Sequence, residues 1–378
     1  MVKALRLAIV LAFMFGAWNA CTAEVPPQVR VAVLKDVSSF RLKVRGTYEV
    51  IDPASGKVLS KGRNIRTTVT VYKNGILLAG GGFATDRILI KGNDPEAFLI
   101  NDRSFRGDIE VLRDSSGHFL VVNRIGLEDY VRGILYHEAS HYWPGDALKA
   151  QAVACRTYAV YQMQTNSACD YDVTSDIYSQ VYGGKVSERY RTNKAVEDTE
   201  GEVLFYKGRV FPAYYHATCA GHTEDASELW KINIPPLKGV ACDYCKDAPH
   251  YNWHNVLSVK EVTDKLREAG YKLKDIEAIA PLDKTSSGRI RNLAIVSGGR
   301  QLRIPAKDFR NIMGPNVIKS TIFDVKVIGD DAVFEGLGWG HGVGMCQWGA
   351  YFMAKKGYDY REILKYYYPA SYVKTLGF

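Results

Sequence analysis

Between residues 29 and 122 the apolar positions fall in short β-branched runs, among them Val29-Arg-Val-Ala-Val-Leu, Thr67-Thr-Val-Thr-Val-Tyr and Ile109-Glu-Val-Leu. Asp-Pro, Ser-Gly and Asn-Gly pairs that favour turns interrupt them. This pattern predicts a β-rich N-terminal unit. After Arg124 the period changes: Leu127-Glu-Asp-Tyr-Val-Arg-Gly-Ile-Leu has helical spacing, with acidic residues in the first turn where the helix dipole favours them. A break is expected over residues 136–143. Pro144, whose fixed φ suits a first helical turn, then opens a longer helix to about Met163. Strands return from Glu202, in Val203-Leu-Phe-Tyr and Val210-Phe-Pro-Ala-Tyr-Tyr-His. Over residues 256–330, a helix at 259–269 and strands at 290–296 and 302–304 predict a small α+β insertion. The fold class is therefore α+β. A β-rich region over 24–97 precedes a mixed α/β domain in two parts, 98–255 and 331–378, with the insertion between them.

The first 23 residues place Lys3 and Arg6 ahead of an apolar run from Leu7 and then small residues, the layout of a secretory signal peptide, so they stand apart from the fold. The run is short for a membrane span of about 20 residues. Cleavage after Ala23 and lipid attachment at Cys21 are both open, with Trp18 three residues before the cysteine opposing the second. The expected location is the periplasm or cell envelope, with membrane contact only through an N-terminal lipid or an uncleaved signal. A net charge of +8 favours anionic surfaces such as wall polymers, yet the excess is scattered, which argues against a dedicated nucleic-acid protein. The chain has 24 tyrosines, whose rings offer sugars an apolar face with a polar edge.

The stretch richest in candidate chemistry surrounds Glu138, in a segment of His, Tyr and Trp between the two expected helices. Desolvation there would raise the carboxyl pKa and keep it protonated near neutrality, as a general acid requires. Asp172 and Asp176 would supply a second carboxylate to a hydrolase, or else cap turns. His137-Glu138-Ala-Ser-His141 spells the zinc-peptidase motif, but that motif needs a continuous helix and Trp143-Pro144 interrupts it almost at once. Lys149 and Arg156 are seven apart and share a helix face, either as an outer charged face or as a positive groove wall. His341 lies in the turn Gly338-Trp-Gly-His-Gly-Val-Gly, where the backbone can approach a ligand closely. Cys242-Asp-Tyr-Cys245 has metal-knuckle spacing, and Cys219, His222, His216, His250 and Cys346 are available as further ligands. The favoured set is Cys219, His222, Cys242 and Cys245, with structural zinc and a disulfide both open. A pairing of Cys155 with Cys169 is also open.

Four blocks carry a resemblance. They are Glu138 shortly before Trp143-Pro144 with Asp146-Ala-Leu-Lys-Ala-Gln-Ala-Val-Ala-Cys-Arg-Thr-Tyr-Ala, then Ser179-Gln-Val-Tyr-Gly-Gly, then Ala213-Tyr-Tyr-His-Ala-Thr-Cys-Ala-Gly-His-Thr-Glu, and finally Gly338-Trp-Gly-His-Gly-Val-Gly-Met-Cys-Gln-Trp-Gly-Ala. Over residues 98–369 the chain resembles the sporulation stage II protein D family, also called the amidase-enhancer family. The resemblance implies a peptidoglycan lytic transglycosylase that cuts glycan strands, preferably stripped of stem peptides, with Glu138 as its single acid and base. It implies Lys149, Arg156, Gln180, Tyr182, His341 and Gln347 as substrate-binding residues. No cofactor is required for catalysis, although some relatives carry zinc. The alternative it leaves is a non-catalytic glycan-binding activator of a cell-wall amidase.

Overall fold

The computed structural model describes residues 28–94 and 96–377; the expected signal peptide over 1–23, Cys21 included, lies outside them. The β-branched runs build an 11-stranded sheet. Within it Phe40–Ile51 alternates buried and exposed positions, so Phe40, Leu42 and Val44 point into the core. Gln28–Val37 pairs antiparallel with Phe119–Gly126, and on its other side takes the two-residue strand Val173–Thr174 in parallel, Val31 opposite Val173. The expected boundary at 97/98 falls inside this sheet, because Arg87–Gly92 pairs with Asp108–Arg113. The β-rich region and the helices after it share one hydrophobic core.

Helix α1 spans Leu127–Glu138 and buries Leu127, Tyr130, Val131, Ile134 and Leu135 against that core. It runs three residues beyond the expected stop, since nothing in Tyr136-His-Glu breaks a helix. It ends where Ala139 turns extended (φ −143°, ψ 132°). Helix α2, Gly145–Thr165, has Pro144 as its N-cap and is buried on nearly every side. Its alanines 147, 150, 152, 154 and 159 let neighbours approach closely. Leu148, Ala152, Cys155 and Val160 face the first core, while Ala150, Val153 and Ala154 face a second core made with residues 204–245 and 343–368. The helix is thus the pillar between the two cores.

The second core carries Tyr215–His216 paired in parallel with Met345–Cys346, which brings two sequence blocks about 130 residues apart side by side. The glycines of the 338–344 turn make that approach possible: a Cβ on Gly344 (φ +73°) would stand 1.9 Å from the Tyr214 carbonyl oxygen. The insertion has a third core of its own. It runs from 252 to 337, because Asn252–Ser258 pairs antiparallel with Asp331–Leu337 along its whole length. Its two three-stranded sheets carry the helices Val259–Glu268 and Ala306–Met313, the latter beyond what the sequence pattern indicated. Among the described residues no helix is long and apolar enough to cross a membrane.

Candidate active site

Glu138 is the last residue of α1 and opens into a cavity of about 450 Å³. It is the only carboxylic acid among the described residues lining that cavity, which is otherwise walled by tyrosines, tryptophans, amides and two histidines. Part of its side chain faces the open groove, yet the carboxyl group is hemmed in by protein. Desolvation pushes its pKa up to about 7, against hydrogen bonding from the Val181 backbone, Tyr215 and Gln347 that favours the charged form. The C-terminal end of a helix also disfavours a negative charge. A carboxyl group poised near neutrality can both give and take a proton.

The donors around Glu138 are themselves fixed. Gln347 Nε2 donates to the Glu138 carbonyl oxygen at 2.9 Å, tying the end of α1 to the glycine-rich block. Tyr130 Oη donates to Gln180 Oε1 at 3.0 Å, and Gln180 Nε2 donates to Tyr215 Oη at 3.0 Å. Tyr215 Oη also accepts from the Cys155 thiol at 3.5 Å. With its lone pairs engaged, the Tyr215 hydrogen is free for Glu138. Gln180 therefore acts through Tyr215. His341 lines the cavity and holds its own turn by accepting the Val343 N–H at Nδ1 (3.0 Å). Burial, with Arg310 and Arg289 nearby, pushes its pKa down to about 3, so the ring stays neutral.

Three expected groove residues lie elsewhere. Lys149 and Arg156 do share a face of α2, but helix α3, Tyr190–Glu197, covers it. Lys149 pairs with Asp198 at 3.0 Å. Arg156 is fully buried, pairs with Glu128 and donates to the carbonyl oxygens of Val196 and Glu202. Both cations sit at the negative end of α3 and clamp it to α2. Tyr182 is buried against Tyr130, with Oη donating to Asn123 Oδ1 at 2.7 Å. Gly133 leaves room for its ring, since a Cβ there would come within 2.4 Å. These three hold the scaffold under the site.

Asp172 and Asp176 are also away from the cavity. Asp176 Oδ1 accepts from Thr174 Oγ1 and the Tyr178 N–H, a turn-capping arrangement. Asp172 is buried and accepts from Arg30 through the backbone N–H (2.8 Å), Nε (3.1 Å) and Nη2 (2.6 Å). Asp172→Asn is expected to cost about 1–3 kcal/mol of stability while turnover per folded molecule persists. Thermal melts beside activity assays check this, and lost turnover at an unchanged Tm would instead make Asp172 a second catalytic carboxylate.

The zinc-peptidase spelling fails for a geometric reason: α1 stops at Glu138, so His137 and His141 do not share a helix. His137 Nε2 bonds Ser187 Oγ at 2.6 Å, and the His141 ring lies against Tyr136 and Tyr142.

The cysteine cluster differs in one member from the favoured set. The sulfur atoms of Cys219, Cys242, Cys245 and Cys346 all lie within 4.8 Å of one another, and all four residues are buried. His222 stays outside, its Nδ1 next to the Thr223 carbonyl oxygen at 2.6 Å. Cys346 takes the fourth place because the pairing of Met345–Cys346 with Tyr215–His216 sets it beside Cys219. Cys155 is buried and Cys169 exposed, both as free thiols, so they form no pair.

Sequence reasoning passed over Tyr215, the walls Tyr178, Tyr214 and Trp230, and Arg310 of the insertion, all of which line the cavity. Tyr214 and Tyr215 sit inside one motif block and Tyr178 directly before another, so their proximity to motif residues was a usable signal. Arg310 carried none.

The family model for the stage II sporulation protein matches residues 115–206, and a domain of unknown function (DUF8618) matches 240–344. The chain is 34% identical to an uncharacterised protein of Brachyspira hyodysenteriae over 90% of its own length and 91% of that protein. It is 33% identical to a stage II sporulation protein D of Bacillus subtilis, covering 67% of this chain and 75% of that one. It is also 32% identical to a protein of the same organism named amidase enhancer, over 64% of this chain and 40% of the relative. With the motif blocks gathered around one cavity and a relative matched over three quarters of its length, the chain belongs to the stage II sporulation protein D family.

Proposed function

We propose that this protein is an exported lytic transglycosylase of peptidoglycan, cleaving the bond between N-acetylmuramic acid and N-acetylglucosamine with Glu138 alone. The observation that carries the reading is a single carboxyl group, poised near pH 7, in an aromatic-walled cavity. Hydrolases of glycosidic bonds ordinarily use two carboxyl groups flanking the scissile bond. In the proposed reaction the Glu138 acid protonates the glycosidic oxygen, and the C1–O bond breaks to release an alcohol. The Glu138 carboxylate then takes the proton of the muramic acid 6-hydroxyl as O6 bonds to C1. The product is a 1,6-anhydro sugar, Glu138 ends protonated, and no water is consumed. Tyr215, held by Gln180, orients the carboxyl group between its two tasks. Tyr178, Tyr214 and Trp230 offer ring faces to the sugars.

The expected signal layout at the N-terminus supports export, and the relative named amidase enhancer supports a role beside a wall amidase. The test is mass spectrometry of the fragments released from denuded glycan strands. Anhydro ends, lighter by one water than reducing ends, are expected; reducing ends alone would replace this reading with hydrolysis.

The same reading gives the cysteine cluster a structural zinc ion. Four thiolates around zinc, with Zn–S near 2.3 Å, stand roughly 3.8 Å apart. The four sulfur atoms lie within 4.8 Å of one another, with 3.4 Å between Cys219 and Cys245, which suits that arrangement. Cys346 Sγ accepts the N–H groups of Cys219 and Gly349, both at 3.3 Å, which steadies a thiolate. When bound, zinc would supply a brace. The proton transfers stay with Glu138.

A further inference from the structure

We infer that Arg310, supplied by the insertion, is a carboxylate-binding residue of the cavity that reads the free lactyl carboxylate of muramic acid and so selects strands lacking stem peptides. This rests on the transglycosylase reading and extends it to how the substrate is chosen.

Arg310 lies in the helix Ala306–Met313 and lines the cavity that holds Glu138. Among the described lining residues it is the only lysine or arginine, and both lining histidines, His216 and His341, are driven to the neutral form by burial. Its Nε donates to the Lys319 carbonyl oxygen at 3.2 Å, which fixes the plane of the guanidinium. Among the described residues no carboxylate lies within ion-pairing distance of it, and its Nη groups have no protein acceptor. Arg106, by comparison, pairs with Glu96 and Glu188, and Lys149 with Asp198. Burial pulls the Arg310 pKa down to about 10, so the cation is partly desolvated without a counter-charge and still protonated at neutral pH.

A planar guanidinium with free Nη hydrogens is built for a bidentate carboxylate. The cavity cannot supply that anion from the protein, since its one acid is needed for proton transfer and is protonated in the substrate complex. The glycan can. Muramic acid carries a lactyl ether whose carboxyl group is free and ionised when the stem peptide is gone, and is a neutral amide when the peptide is present. Amidation removes the charge and one of the two acceptor oxygens, leaving Arg310 desolvated and poorly paired. The residue thus turns the presence of a peptide into a loss of binding, and the insertion has a reason to reach into the groove.

The experiment compares denuded strands with the same strands converted to lactyl methyl amides, using the full-length mature chain and Arg310→Gln and Arg310→Lys variants. For wild type, kcat/KM is expected to be about 10- to 100-fold higher on the carboxylate form, the range of a charge-assisted hydrogen-bonded pair. Arg310→Gln should lose that preference, its kcat/KM becoming equal on the two forms, and Arg310→Lys should keep part of it. Equal kcat/KM of wild type on both forms overturns the inference, as does an undiminished preference in Arg310→Gln. Binding of both forms to Glu138→Gln, with and without Arg310→Gln, separates this from the catalytic reading. If wild type cleaves neither form but binding still prefers the carboxylate through Arg310, the transglycosylase reading falls and the carboxylate site stands. If neither form binds preferentially, the site falls.

Discussion

Glu138→Gln is expected to fold, to bind denuded strands, and to release anhydro fragments about 10²- to 10⁴-fold more slowly than wild type, the usual worth of a positioned proton donor and acceptor. Glutamine preserves size and can still accept from Tyr215 and the Val181 N–H, so the groove should keep its shape. The raised pKa adds two pH signatures. Since the reaction begins with Glu138 protonated, kcat/KM of wild type should fall as pH rises past about 7. Stability follows from the same shift. A carboxyl group whose folded pKa lies above its unfolded value of about 4.3 binds its proton more tightly when folded. Its contribution is fully present below the unfolded value and is lost as pH rises through 7. The Tm advantage of wild type over Glu138→Gln should therefore shrink or reverse between pH 5 and pH 8. Cleavage by Glu138→Gln at the wild-type rate would move catalysis off this residue and leave the family's other reading, an activator that binds glycan without cutting it.

The second large effect is expected from the four cysteines. One zinc ion per chain should be found in tag-free protein, and cobalt substitution should give the thiolate charge-transfer and d–d bands of a tetrahedral sulfur site. Chelation, or Cys346→Ala, is expected to lower Tm sharply and abolish turnover, since metal binding and folding of such a site are coupled. The loss of activity would be indirect. Cys346 caps the helix Gln347–Lys355, and Gln347 ties that helix to the Glu138 backbone. Cys242 and Cys245 lie in the loop ahead of the insertion, and Arg289 of the insertion donates to the Cys219 carbonyl oxygen at 2.8 Å, so the same metal would hold the insertion that presents Arg310. Cys155→Ala serves as the control and should retain full zinc, because Cys155 is outside the cluster. Metal-free protein of undiminished Tm, with two fewer free thiols per pair, would replace zinc by disulfides.

What the sequence determined by itself is what depends on neighbours along the chain. Alternation of β-branched residues laid down the sheet, the 3.6-residue period set α1 and α2, and the four blocks named the family. Lys149 and Arg156 were correctly placed on one helix face, because helix geometry fixes that. What covers the face is a tertiary matter. Helix α3 lies over it, and two side chains that looked like a groove wall became a clamp on the helix end. The same limit applies to the cysteines. Cys242-x-x-Cys245 was legible as a local spacing, but the choice of Cys346 over His222 was made by a two-residue parallel pairing between distant segments. The end of α1 was misplaced by three residues, enough to move Glu138 from a loop onto a helix terminus, where the dipole helps to keep its proton. Arg310 shows the limit most plainly: only the docking of a separately cored insertion brings it to the wall of the cavity that Glu138 also lines. Such packing is decided by complementary surfaces between elements remote in sequence, and no local pattern records it.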